Sequence, residues 1–167
     1  IDLLGRRYAF LGDLCRTLGH GDLAGCPADP AFIFAVNGVG CQIAFALSWL
    51  FRRRAPLVAA CAWGVPLVNG VTHLGSALAH GAYNPGTLTS LLLFVPLCAW
   101  MLRTTLRAGA LAPRDVPRVI ASGVLVHAVL LASLVLRERG VLSHGALLAI
   151  NALNLVAALS GFLAALS

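Results

Sequence analysis

The chain has no lysine, a single glutamate (Glu138), a single methionine (Met101) and few charges of any kind, with 12 arginines and six acidic residues making 11% of its 167 residues. Soluble domains carry about a quarter charged residues. A composition that is 59% hydrophobic with a mean hydropathy of +0.89 therefore excludes an ordinary water-soluble domain. Strict apolar/polar alternation is missing, which excludes membrane barrel strands. No segment has the charged, apolar and small-residue layout of a signal peptide. The five cysteines show no CxxC spacing, so no zinc-type site is legible in them. There is no internal repeat and no second domain. A net charge of +6 would suggest nucleic acid in a soluble chain, but here the arginines sit between apolar runs as topology signals, and no nucleic-acid partner is implied.

What is present is apolar sequence broken at regular intervals. Runs of about 20 residues are needed to cross about 30 Å of hydrocarbon, and five are expected, at 31–51, 55–80, 86–106, 117–136 and 142–167. Backbone groups in lipid must be satisfied within the segment, so these runs read as helices. The fold class is all-α, a polytopic transmembrane helix bundle preceded by an interfacial or extramembrane segment over residues 1–30. In that segment Leu3, Leu4, Phe10, Leu11, Leu14 and Leu18 recur at near-helical spacing, as in an amphipathic helix lying on a membrane, and a Gly/Pro-rich loop follows. Pro66 and Pro96 fall inside runs and predict kinks. Ala157, Gly161 and Ala165 place a small residue at every fourth position of the last run, which permits close helix packing or a homo-oligomer.

Arg52, Arg53, Arg54, Arg103, Arg107, Arg114 and Arg118 lie on one side of this arrangement, against Arg6, Arg7, Arg16, Arg137 and Arg139 on the other. The positive-inside rule makes the first side cytoplasmic. Trp49 and Trp100 end runs on that side, as aromatic belt residues do. Arginine without lysine, with abundant Ala, Leu, Gly and Val, suggests GC-rich coding and a bacterial inner membrane. Cys41, Cys61 and Cys98 read as small core residues. Cys15 and Cys26, outside the runs, could bridge if they face an oxidising compartment.

Ionisable side chains at membrane depth are functional candidates by default. Within 55–80 a helix places Asn69, His73 and His80 on one face, with Thr72 and Ser76 beside His73. From the side holding residues 1–30, His73 lies about 10 Å deep, Asn37 about 9 Å, Asn151 about 13 Å and Asn69 about 16 Å. Asn151 and Asn154 read as interhelical hydrogen-bond donors, and His127 as a hydrogen-bonded core residue. An imidazole and a carboxamide oxygen can both ligate a metal, so His73 and Asn69 are the candidate catalytic and metal-binding residues, with Asp2, Asp13, Asp22 and Asp29 as carboxylates on the same side.

Asn69, His73, Tyr83, Pro85, Gly86, Thr87, Thr89 and the proline-bearing run from Leu91 to Pro96 resemble the later part of the HXXEE family of small multispan bacterial membrane proteins. Residues Pro27 to Phe32, with Asn37, resemble the approach to that family's second span, and the likeness covers about residues 28–106. No His-x-x-Glu-Glu occurs in this sequence. The chain begins at Ile1 with no early methionine, so the start codon is expected upstream, and either the motif lies there too or this chain has lost it. An upstream motif would bring one His and two Glu to the face of Asn69 and His73 and complete a site for a divalent metal ion. The resemblance implies no established activity.

The expected function is a metal-dependent membrane hydrolase acting on a lipid or lipid-linked substrate, with His73 as ligand or general base and Asn69 beside it. The alternative is a non-catalytic accessory subunit or small-solute carrier in which the Asn and His residues pack helices together.

Overall fold

In the computed structural model, the described residues are 15–16, 18–20, 26–81, 83–84 and 86–164, with side chains described as far as residue 156. Most of the amphipathic stretch expected from Leu3 to Leu18, Asp2, Asp13 and Asp22, Pro85 and Ala165 lie outside them, as does the packing of Ala157 and Gly161. Among the described residues the regular structure is helical throughout: α1 (Pro30–Phe51), α2 (Pro56–His80), α3 (Thr87–Arg107), α4 (Val116–Glu138) and α5 (His144–Ala164). The first four are long and apolar enough to cross a membrane, α4 together with a preceding 3-10 turn, and the described apolar part of α5 runs from His144 to Val156.

Local chemistry sets the helix ends. Asp29 caps α1, its Oδ1 accepting from the Phe32 amide at 2.8 Å, and Pro30 fills the first turn where no amide is needed. Ser143 caps α5 by accepting from the Ala146 amide at 3.1 Å. In the loop before α4, Asp115 Oδ2 accepts from the Ala112 amide at 3.0 Å while Oδ1 holds Arg118 at 2.8 Å. At Pro96 the expected disturbance takes the form of a π-helical turn over Ser90–Phe94, in which the Val95 amide reaches back five residues to the Ser90 carbonyl. Proline cannot bond to the carbonyl four residues before it, and a widened turn redistributes the ladder around that gap. A second π segment, Phe34–Gly40, interrupts α1 where the sequence has no proline to announce it.

Helix α2 packs against each of the other four. Its tightest crossing is with α4, where a Cβ added to Gly64 would stand 2.0 Å from the Val119 carbonyl oxygen and one added to Gly123 would stand 2.2 Å from the Gly64 oxygen. Ser122, buried beside this crossing, donates to the Cys61 carbonyl at 2.8 Å and the Val119 carbonyl at 2.7 Å. Small residues replace side-chain contact with backbone contact here, the means by which helices associate where lipid supplies no hydrophobic drive. Leu78, Trp49, Trp100 and the Leu91 to Leu93 run are exposed, giving the bundle an apolar outer surface.

Two buried clusters divide the interior. One lies toward the Arg52 to Arg54 end, around Val58, Cys61, Val119 and Val126. The other, at the opposite end, contains Cys15, Cys26, Ala28, Phe32, Leu134 and Leu147. Cys15 and Cys26 are joined as a disulfide across 11 residues, and both pack in the cluster with Leu134 of α4 and Leu147 of α5. His20 meets Glu138 at 2.7 Å and His144 meets Asp29 at 3.4 Å at the same end. Closing a loop of this length should stabilise the fold by roughly 3 kcal/mol. Cys15→Ser is therefore expected to lower the thermal midpoint in detergent, to the same extent as reduction of the wild type.

Candidate functional site

His73 sits about two turns from the end of α2, half-buried, and its surroundings come from the loop that follows. Asn84 binds it twice. The carboxamide nitrogen donates to the His73 main-chain carbonyl at 3.0 Å, and this fixes which way round the amide lies. Its oxygen then faces His73 Nδ1 at 2.7 Å. An amide oxygen can only accept, so Nδ1 carries a proton. Orientation of an imidazole by a hydrogen bond at one nitrogen, with the basic pair on the other, is the arrangement used to aim histidines at metals or at protons to be removed.

The loop is itself held in shape. Asn84 and Thr87 exchange bonds, the Thr87 amide donating to the Asn84 carbonyl at 3.1 Å and the Asn84 amide to Thr87 Oγ1 at 3.3 Å. Gly86 has φ of +98°, a left-handed conformation that a side chain resists. It is also pressed on the imidazole: a Cβ there would lie 2.9 Å from His73 Cε1 and 3.1 Å from each ring nitrogen. The Tyr-x-Pro-Gly-Thr pattern thus has a local meaning at Asn84, Gly86 and Thr87, which orient the ring, bear on it and brace the turn.

Asn69 is on the same helix, one turn deeper, but the structure brings it to a different partner. Its Oδ1 is 3.5 Å from His127 Nε2 on α4, and His127 Nδ1 lies 2.8 Å from the Gly123 carbonyl, to which it must donate. Asn69 thereby links α2 to α4.

The remaining polar residues form separate pairs. Asn151 Nδ2 donates to Ser133 Oγ at 2.9 Å and Asn154 Nδ2 to the Val126 carbonyl at 2.7 Å, both joining α5 to α4 as interhelical donors should. Asn37 and Gln42 are exposed on α1, and His80 is exposed at the end of α2. Among the described residues no group of three or more His, Cys, Asp or Glu is placed to hold a metal ion. Sequence reasoning singled out His73 but passed over Asn84, whose position before Pro85 reads simply as a turn residue; an Asn eleven positions after a membrane histidine carries no periodic signal.

Residues 22–101 match the family described as protein of unknown function with HXXEE motif. That span agrees with the likeness expected over about residues 28–106. No curated protein and no solved structure matches the chain.

Proposed function

On the premise of an HXXEE-type segment over residues 22–101, we propose that this is an integral membrane hydrolase with His73 Nε2 as its basic nitrogen, acting on a lipid or lipid-linked substrate. The observation that carries the reading is the pair of hydrogen bonds from Asn84, which support a proton on Nδ1 of a histidine set about 10 Å inside an apolar bundle. The lone pair so placed takes a proton from the attacking nucleophile or binds a divalent cation that activates water.

The end of the bundle holding His73 also holds the Cys15 to Cys26 disulfide, and the arginine-rich breaks lie at the other end. Disulfides persist in oxidising compartments, and loop arginines favour the cytoplasm. Both support an inner-membrane protein with the His73 end facing outward. Protein taken from its native membrane under thiol-blocking conditions is expected to carry the disulfide intact.

Turnover of a panel of acyl lipids in proteoliposomes, with metal content measured on the same protein, tests the function. His73→Ala is expected to reduce turnover by roughly 10²- to 10⁴-fold. Stoichiometric metal that disappears in this variant would assign Nε2 as a ligand. Folded wild type with neither turnover nor metal would instead support the accessory or carrier reading, which the Asn69 to His127 and Asn154 to Val126 contacts already favour in that they employ buried polar groups to join helices.

A further inference from the structure

The chain carries six carboxamide side chains, and four of them are engaged within the bundle. Asn69 faces His127, Asn84 holds His73, Asn151 reaches Ser133 and Asn154 reaches the Val126 carbonyl. Asn37 and Gln42 are the exceptions. Both are exposed on α1, and neither makes a side-chain hydrogen bond among the described residues. Counted along the helix they lie about 9 Å and about 16 Å from its start, the second near the middle of a bilayer about 30 Å thick. Lipid tails offer neither donor nor acceptor, so a carboxamide left facing them carries the full cost of its lost hydration.

The backbone gathers these two groups toward one side. Residues five apart on an α-helix stand about 140° apart. The π segment Phe34–Gly40 contains Asn37 and ends two residues before Gln42, and at its close the Cys41 amide reaches back five residues to the Val36 carbonyl. A wider turn narrows that angle, and such insertions are frequent at functional sites. Phe34, Ala46 and Trp49 are exposed along the same stretch, while α1 packs chiefly on α2 and α5. The outer face of α1 is thus an apolar strip with an amide at two depths and a small residue, Ala46, one turn beyond Gln42.

We propose that this strip binds a second copy of the chain, in a parallel dimer whose two-fold axis runs along the membrane normal. A carboxamide is self-complementary, because its oxygen accepts while its NH2 group donates. Two that face each other exchange a pair of N–H···O bonds. Copies inserted with the same topology hold each residue at the same depth, and a two-fold axis along the normal sets each residue against its own counterpart. Asn37 then meets Asn37, Gln42 meets Gln42, and one symmetry operation satisfies both levels. A different protein would need matching polar groups at both depths, and lipid has none. The dimer involves neither the chemistry of His73 nor the small-residue repeat of the last run.

Energy transfer between donor-tagged and acceptor-tagged full chains in proteoliposomes tests this as added lipid dilutes the protein. Wild type is expected to dissociate along one dimer-to-monomer curve. Asn37→Leu and Gln42→Leu should each move its midpoint about three- to thirtyfold toward higher protein density. Their thermal midpoints, measured where the chain is monomeric, should be unchanged or raised, since each replaces an unbonded amide on the lipid face. Oxidation in native membranes, in a Cys41→Ala background, locates the contact: Ala46→Cys should give a covalent dimer, and Leu131→Cys, exposed on α4, should not. The assignment is overturned if wild type stays monomeric at every density, or if both leucine variants associate as tightly as wild type. It is also overturned if they lower the thermal midpoint with association intact, which would place both amides in packing of the single chain. Coupling of Ala46→Cys only to its own chain or to a different protein would likewise remove the second copy as the occupant.

Discussion

Leucine at Gly64 or Gly123 is expected to abolish the folded bundle. The added atoms would meet main chain, with the first Cβ already at 2.0 Å from the Val119 oxygen in one case and 2.2 Å from the Gly64 oxygen in the other. Overpacking against a flexible side chain costs about 1–3 kcal/mol because the neighbour can rotate away. A carbonyl within a helix cannot do so without the whole helix moving. Separating α2 from α4 would also stretch the Ser122 bond to Cys61 and the Asn69 contact with His127. The summed loss should exceed about 4 kcal/mol, in the range reserved for named structural failures. Thermal unfolding in detergent would show it as aggregated or poorly recovered protein. Gly75→Ala provides the control, because nothing lies within 4 Å of an added Cβ there, and better helix propensity should stabilise it by about 0.5–1 kcal/mol. If Gly123→Leu unfolded at the midpoint of Gly75→Ala, the crossing would not be as close as described.

This crossing also shows where reading the sequence stops. The helices were legible because bilayer thickness and hydrogen bonding in lipid force nearly the same answer from any apolar run of this length, and the observed ends at Phe51, His80 and Glu138 fall within two residues of those expected. His73 stood out because an ionisable group inside such a run is rare. Gly64 and Gly123 did not, since glycine is common in membrane helices and its meaning depends on which helix faces it. Asn69 and His73 share a helical face, which suggested one site, yet side-chain length and the direction of the loop send Asn69 to α4 and His73 to Asn84. Same-face placement fixes an angle around one axis; partners are chosen by the packing of other axes.

Loss of the Asn84 carboxamide is expected to change the chemistry of His73. Asn84→Ala leaves the His73 carbonyl without the donor at 3.0 Å and Nδ1–H without the acceptor at 2.7 Å. Each unmade bond at a part-buried group costs about 1–3 kcal/mol, enough for the ring to reorient and for both neutral tautomers to be populated. Nitrogen NMR of labelled histidine should report an Nδ1-protonated ring at His73 in wild type and a mixture in the variant. Asn84→Asp separates the two bonds: a carboxylate still accepts from Nδ1–H, so the tautomer is expected to survive, but it cannot donate to the carbonyl, and stability should fall by roughly 1 kcal/mol. Gly86→Ala is the steric counterpart, pushing the ring from its seat while leaving both Asn84 partners in place, with about 1–3 kcal/mol of backbone strain at φ +98°. If His73 supplies only packing, all three variants should alter stability alone. If Nε2 is the working base, Asn84→Ala should lose turnover well beyond its loss of stability, Asn84→Asp should retain most of it, and Gly86→Ala should fail through misplacement of a correctly protonated ring.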